Sequence, residues 1–233
     1  MRSKTLVKLL MCGLFAASTQ AQTFQGIGIV TGAATSEVQG ISGDGTTLVV
    51  RDGANASLWR SGVRTDLGPM TYADEATFDG AIAAGGLNFN QAARWDGAWQ
   101  PMGYLATPGS VPFAASLALG ISADGDEMVG FSTNSFGVAE AFYWTTASGT
   151  MQGMGHFGAT PLFSAARAIS ANGQIAVGDS EYEPGRYEAF RWTPSGTLQG
   201  LGFLSPDKSS RAHGISADGS IIVGWSGTTT SPR

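Results

Sequence analysis

Short apolar runs alternating with polar residues recur along this chain, and glycine-bearing turns separate them. The clearest stretch is GISADGSIIVG at Gly214–Gly224, where two such runs flank Asp218-Gly219. An Asp-Gly pair between alternating apolar residues is a strong hairpin signal, and it predicts a type I′ turn with positive φ at both central residues. GISGDGTTLVV starts at Gly40, GISADGDEMVG at Gly120 and AISANGQIAVG at Ala168, with a weaker copy, ATFDGAIAAGG, at Ala76. Their Asp/Asn-Gly pairs begin at Asp44, Asp79, Asp124, Asn172 and Asp218, so the period is 35 to 48 residues.

A second pattern interleaves with the first. EAFRWTPSGTLQGLGFL from Glu188 matches EAFYWTTASGTMQGMGHF from Glu140, with degraded copies from Gln91 and Ala56. Each copy carries one Trp of a row, Trp59, Trp95, Trp144 and Trp192. The unit is therefore four short strands: a (GIS), b (VVG), c (AFRW) and d (LxGLGxL). Four strands at this period predict an all-β fold, a β-propeller of four-stranded blades with about five units. A single blade cannot cover both its faces, whereas stacking buries them. A β-solenoid or another stacked meander is the alternative architecture.

The pairing of GISADGxxVVG with EAFRWTxxxGxxxLGxL resembles the HAF-type repeat of bacterial extracellular proteins. The resemblance covers most of the chain after residue 24. It implies a secreted bacterial repeat protein and carries no catalytic residues with it.

The units are expected near 36–70, 71–105, 114–157, 164–204 and 210–233, the last without its c and d strands. Phe24–Val30, FQGIGIV, matches a d strand. It is expected to close the ring by pairing with the last blade, Thr228–Arg233 being a degenerate alternative for the missing c strand. An open edge there also suggests a reading frame that continues with another AFRWT.

Met1–Ala21 stands apart. Arg2, Lys4 and Lys8 precede an apolar run, Leu9–Ala17, and a small-residue end at Ala21. This pattern predicts a signal peptide cleaved near Ala21, leaving a domain over 22–233 without a membrane span and a secreted destination: extracellular, cell-surface or periplasmic. Cleavage removes the one cysteine, Cys12, and three positive charges. Ten basic residues against 18 acidic ones then give a net charge of −8. That balance argues against nucleic acid as a partner, since phosphate binding needs basic patches. A glycan or a surface protein fits better.

Candidate chemistry is thin. The b–c and d–a connections read as long and variable, among them Tyr72–Thr77 and Asp179–Tyr187, and variable loops on rigid scaffolds carry function. They nominate Asp74, Glu75, Glu181, Tyr182, Glu183, Arg186 and Tyr187 as ligand-face residues. Asp74/Glu75 and Glu181/Glu183 are the carboxylate pairs a glycosidase would draw on. Trp99 and Trp225 fall outside the Trp row and are expected on the surface, whereas the row itself reads as inter-blade packing. No cofactor, metal site or catalytic residue is expected: the Asp-Gly pairs lack the ligand density of a calcium loop, and no Cys/His cluster suggests zinc. The expected function is a non-enzymatic binding or surface-interaction module. A glycan-active hydrolase or lyase and a structural segment of a larger surface protein are the rivals.

Overall fold

The computed structural model describes residues 27, 35–69, 71–88, 90–107, 109–204 and 209–227. The expected signal peptide, all of the expected closing strand except Ile27, and Thr228–Arg233 lie outside them. No helix occurs among the described residues. The protein is a β-propeller, and its strands form five antiparallel sheets, each following the chain from inside to outside. Blade 1 comprises β1 (Glu37–Ile41), β2 (Thr47–Asp52), β3 (Asn55–Arg60) and β4 (Val63–Pro69). Blade 2 comprises β5 (Thr71–Ala76), β6 (Ala83–Leu87), β7 (Gln91–Trp95) and β8 (Trp99–Pro101). Blade 3 holds β9 (Ser116–Ile121), β10 (Glu127–Thr133), β11 (Ala139–Thr145) and β12 (Met151–Gly155). Blade 4 holds β13 (Ser164–Ile169), β14 (Ala176–Glu183), β15 (Arg186–Trp192) and β16 (Gln199–Gly200). Blade 5 has β17 (Ser209–Ile215) and β18 (Ile222–Gly227). The first strands of successive blades lie beside one another, so strand a is innermost.

The core is a series of inter-blade layers. Ala141, Tyr143 and Met154 of blade 3 pack on Ala166, Ile169, Phe190 and Trp192 of blade 4. Blades 2 and 3 meet likewise through Ala84, Ala92 and Met102 against Ile121, Met128, Phe142 and Trp144. Phe142 and Phe190 are wholly buried, and each such side chain contributes about 1.5–3 kcal/mol of transfer free energy.

The Asp-Gly hairpin differs from the expected turn. Only the glycine has positive φ (Gly45 73°, Gly80 66°, Gly125 80°, Gly173 68°, Gly219 74°), and none of the preceding Asp or Asn residues does. A four-residue turn therefore ends on a left-handed glycine, as in Ser42–Gly45, where the Gly45 N–H donates to the Ser42 carbonyl at 2.8 Å. A polar pair holds it. In blade 1 the Ser42 hydroxyl donates to Asp44 Oδ1 and accepts from the Thr47 N–H. Asp44 Oδ1 also accepts from the Thr46 N–H. Thr77/Asp79, Ser122/Asp124, Ser170/Asn172 and Ser216/Asp218 repeat the device. Such Asx-type bonding is local and sequence-encoded. These turns also join the blades: the N–H groups of Phe78, Ala123 and Ala171 donate to the carbonyls of Ala123, Ala171 and Ala217 at 3.2, 2.9 and 3.0 Å.

A second seam explains the remaining repeat positions. A glycine with positive φ stands at the end of strand d or two residues past it, at Gly68, Gly103, Gly155 and Gly202. Its carbonyl accepts a bond from a Ser or Thr at the start of the next inner strand. Ser164 donates to Gly155 O at 2.7 Å and accepts the Ala141 N–H at 2.9 Å. Thr71, Ser116 and Ser210 do the same to Gly68/Ala56, Gly103/Ala92 and Gly202/Ala189. The repeat's leading glutamate secures the same glycine from behind, since Glu140 and Glu188 accept the Gly155 and Gly202 N–H groups at 3.0 and 3.1 Å.

Candidate functional site

Every inner strand carries a β-bulge against strand b, at the step across Gln39, Asp74, Leu119, Arg167 or His213. The cause lies partly in strand b. Gly85, Gly130, Gly178 and Gly224 sit so close to the facing carbonyls of Tyr72, Leu117, Ala165 and Arg211 that a Cβ would overlap them. A bulge re-aims the extra side chain, and here it sets Asp74, Arg167 and His213 at equivalent places in blades 2, 4 and 5.

Asp74 and Glu75 are therefore not loop residues. Tyr72–Thr77 is strand β5 and the start of its turn, because Pro69 already ends β4 and the chain enters the next blade two residues later. Burial raises Asp74 to about 6, with Arg51 opposing. Burial raises Glu75 to about 7; a bond from the Ile121 N–H at 3.1 Å opposes this and the neighbouring Asp74 adds to it. Glu75 thus braces blade 2 against blade 3, at a register position that glycine or alanine holds in the other blades.

The expected loop Asp179–Tyr187 is also mostly strand. β14 and β15 run on to a tight turn at Pro184-Gly185, with the positive φ carried by Gly185. Glu181 Oε1 accepts the Gly185 N–H at 2.5 Å and so shapes that turn. Glu183 and Arg186 form an exposed ion pair at 3.2 Å, a kind worth little in water. The Tyr182 ring lies 5.7 Å from that of Phe203.

Tyr187 is the nominated residue that joins a larger constellation. The Arg211 guanidinium lies 4.1 Å from its ring centroid and 5.9 Å from that of Trp225. Beneath it, Asp179 is fully buried. Asp179 Oδ1 accepts a bond from Arg167 Nε, and Arg211 Nε stands 3.6 Å from Oδ2. The last two atoms are buried and have no hydrogen-bond partner. His213 is held below its ordinary value, first by partial burial and then by Arg167, with Asp179 opposing. Two guanidinium groups against one carboxylate leave a local positive charge on an acidic protein. Arg167 and Arg211 remain about a quarter exposed, at 26% and 29%. Chemically, the arrangement suits a planar anion: guanidinium forks match carboxylate geometry, and the partly exposed Trp225 ring offers a flat apolar face, while Tyr187 carries Arg211 over its own face and meets Phe163 edge-on.

Arg167, Asp179, Arg211 and His213 were not nominated from the sequence. One signal was available: Asp179 stands directly after the b-strand glycine Gly178, at a position that Arg51 (after Val50), Gly86, Phe131 and Trp225 hold in the other blades. Trp225, expected at the surface, is 38% exposed. Trp99 instead packs beside the blade 1–2 core and donates to Leu67 O at 2.7 Å. A comparable ion cluster in blade 1 is more closed. Asp52 accepts from Ser36, Ser57 and Arg64, and although burial opposes it, these partners hold its carboxyl below the usual value. Among the described residues, no group of three His, Cys, Asp or Glu side chains is placed to hold a metal ion.

No protein-family model matches the sequence, and a search of curated proteins finds no match. Solved structures do resemble the fold. One described as putative TolB from Agrobacterium tumefaciens superposes with a TM-score of 0.55 at 15% identity, covering 82% of this chain and 70% of that one. TolB from Acinetobacter baumannii gives 0.52 at 13% identity, covering 79% of this chain, which spans about half (52%) of that protein's length. Likeness at this level concerns the fold alone.

Proposed function

We propose that the chain is an exported, HAF-type repeat scaffold that works as a non-enzymatic binding module. Its contact surface is the rim of blades 4 and 5, around Arg211, Tyr187 and Trp225. The observation that carries this reading is the Arg211 guanidinium close to two aromatic rings, Tyr187 and Trp225, and to a fully buried Asp179. The ligand class that matches is a glycan bearing carboxylates: a sugar ring stacks on Trp225 while the acid meets the guanidinium that Tyr187 holds in place. Export rests on the basic, apolar and small-residue succession of Met1–Ala21. Among the described residues, no helix is long and apolar enough to cross a membrane.

The enzyme reading would draw on Asp74 and Glu75, whose pKa values are raised. The Glu75 carboxylate, however, is engaged by a backbone N–H of the next blade. The test is a panel of neutral and uronic-acid oligosaccharides incubated with the protein and read twice, by equilibrium binding and by mass spectrometry of the sugar. The proposal expects binding of acidic members, unchanged sugar masses, and loss of binding in Tyr187→Ala. Shortened or unsaturated products would establish the enzyme instead, and absence of any binding would leave the structural-segment reading.

A further inference from the structure

One a–b turn departs from its repeat. Asp44, Asp79, Asp124 and Asp218 stand before the turn glycine in four blades, and Asn172 stands there in blade 4. Asn172-Gly173 is the one Asn-Gly pair in the chain. Asn172 is exposed, and its Oδ1 accepts two bonds, from the Ser170 hydroxyl at 2.8 Å and from the Gln174 N–H at 3.1 Å. Carboxylates receive the same two bonds in the other blades: Asp124 from Ser122 and the Asp126 N–H, Asp218 from Ser216 and the Ser220 N–H. This turn favours a charged side chain. It holds Asp218 down at about 2, first through the Ser216 hydroxyl and then through the Ser220 N–H, and Asp44, Asp79 and Asp124 are lowered too. The Gly173 N–H donates to the Ser170 carbonyl at 2.9 Å and belongs to no strand ladder, so opening one bond frees its nitrogen. With no side chain, Gly173 leaves that nitrogen unhindered. An acid lies beside it, since a Cβ on Gly173 would overlap Glu127 Oε2 of blade 3. Thr47, Ile82 and Ile175 fill the same place against Gly80, Gly125 and Gly219 at the other seams. Burial raises Glu127 against the opposing Ser122 bond, and Asp124 and Asp126 add to the rise.

The geometry points to Asn172 as a self-modification site: it deamidates within the native turn and becomes the aspartate that the repeat uses in the other blades. The step balances with the chain and one water. The Gly173 nitrogen bonds to Asn172 Cγ, and Oδ1 takes up the negative charge where the Ser170 and Gln174 donors already point. Donors aimed at an oxygen that becomes an oxyanion lower the barrier. The Cγ–Nδ2 bond then breaks, and ammonia leaves with the proton that Gly173 gave up. Glu127 is placed to carry that proton from one nitrogen to the other. Water adds to the Cγ carbonyl of the resulting succinimide and breaks the new Cγ–N bond. This restores the Gly173 N–H and leaves a side-chain carboxylate at position 172. Attack of water on the main-chain carbonyl would instead give isoaspartate, whose side chain becomes backbone. An ordinary aspartate regains the Ser170 and Gln174 bonds and isoaspartate does not, so the folded turn selects the former.

This inference is independent of the glycan-binding reading, and no sugar enters its test. The full chain is incubated at pH 8 and 37 °C, folded or unfolded in guanidinium chloride, and then digested with trypsin. The peptide Ala168–Arg186 contains Asn172 as its one asparagine, and mass spectrometry follows its gain of about 1 Da. The gain is expected in the folded chain. Isoaspartyl methyltransferase should label most of the product formed in the unfolded chain and the minor part of that formed in the folded one. Ser170→Ala should slow the folded reaction about tenfold or more and leave the unfolded reaction unchanged. Glu127→Gln should also slow the folded reaction, and it carries the comparison if Ser170→Ala does not fold. The proposal is overturned if the peptide keeps its mass in the folded chain while the unfolded chain converts, because the turn then protects Asn172. An equal isoaspartate share in the two states overturns it as well, as does a folded rate that these substitutions leave unchanged or raise.

Discussion

Glu75→Gln isolates the chemistry of one buried acid. In the folded protein Glu75 titrates at about 7 against an ordinary 4.5, chiefly because burial disfavours its charged form. That gap corresponds to about 3 kcal/mol favouring the protonated side chain in the fold. The sign follows from linkage. A carboxyl raised in the folded state contributes stability below pH 4.5, and this is lost as pH rises through about 7. Glutamine keeps an acceptor for the Ile121 N–H, which Glu75 Oε2 now receives at 3.1 Å, but it cannot ionise. The variant should match the native protein near pH 4 and exceed it at pH 8.5 by as much as about 3 kcal/mol. For a chain of this size that is about 6–12 °C in the unfolding midpoint. The assay is thermal and urea unfolding of both proteins from pH 4 to 8.5. Parallel stability profiles would refute the reasoning, as would a variant weaker at every pH.

Three further substitutions probe the inter-blade seams. Ser164→Ala leaves the Ala141 N–H and the Gly155 carbonyl without their shared hydroxyl and should cost about 2–4 kcal/mol in urea unfolding; Ser164→Thr should be nearly neutral, because Thr71 fills the same position in blade 2. Gly178→Ala drives a Cβ into the Ala165 carbonyl and should cost about 2–4 kcal/mol, whereas Gly185→Ala meets open space at φ 77° and should cost about 1–2 kcal/mol in the same assay. Asp179→Asn removes the charge shared by Arg167 and Arg211 and should cost about 3–5 kcal/mol by denaturant unfolding.

The propeller was legible because its determinants are local and repeated. Asp-Gly turns, d-strand glycines and the Trp row recur where the blades need them. The turn type was not legible from the Asp-Gly pair, because the deciding partner is the Ser or Thr two residues before Asp, whose hydroxyl favours a turn ending on the glycine. The a-strand hydroxyls were also invisible: Ser164 meets Ala141, 23 residues away, and nothing local to Ser164 announces that contact. Asp74 and Glu75 were read as loop residues because blade 2 is the most eroded copy and two acids inside a strand look like solvent-facing chain. The blade 4–5 cluster escaped for the same reason of distance, since Arg211 reaches Asp179 from the next blade.

The central claim, a binding surface built on Arg211, Tyr187 and Trp225, is tested most directly by hydrogen–deuterium exchange of the full chain with and without saturating uronic-acid oligosaccharide. The account predicts slowed exchange confined to Arg186–Tyr187 and Ser209–Trp225, and abolished by Tyr187→Ala. Protection centred instead on Ala106–Ala115, or on the β5 acids Asp74 and Glu75, would contradict it.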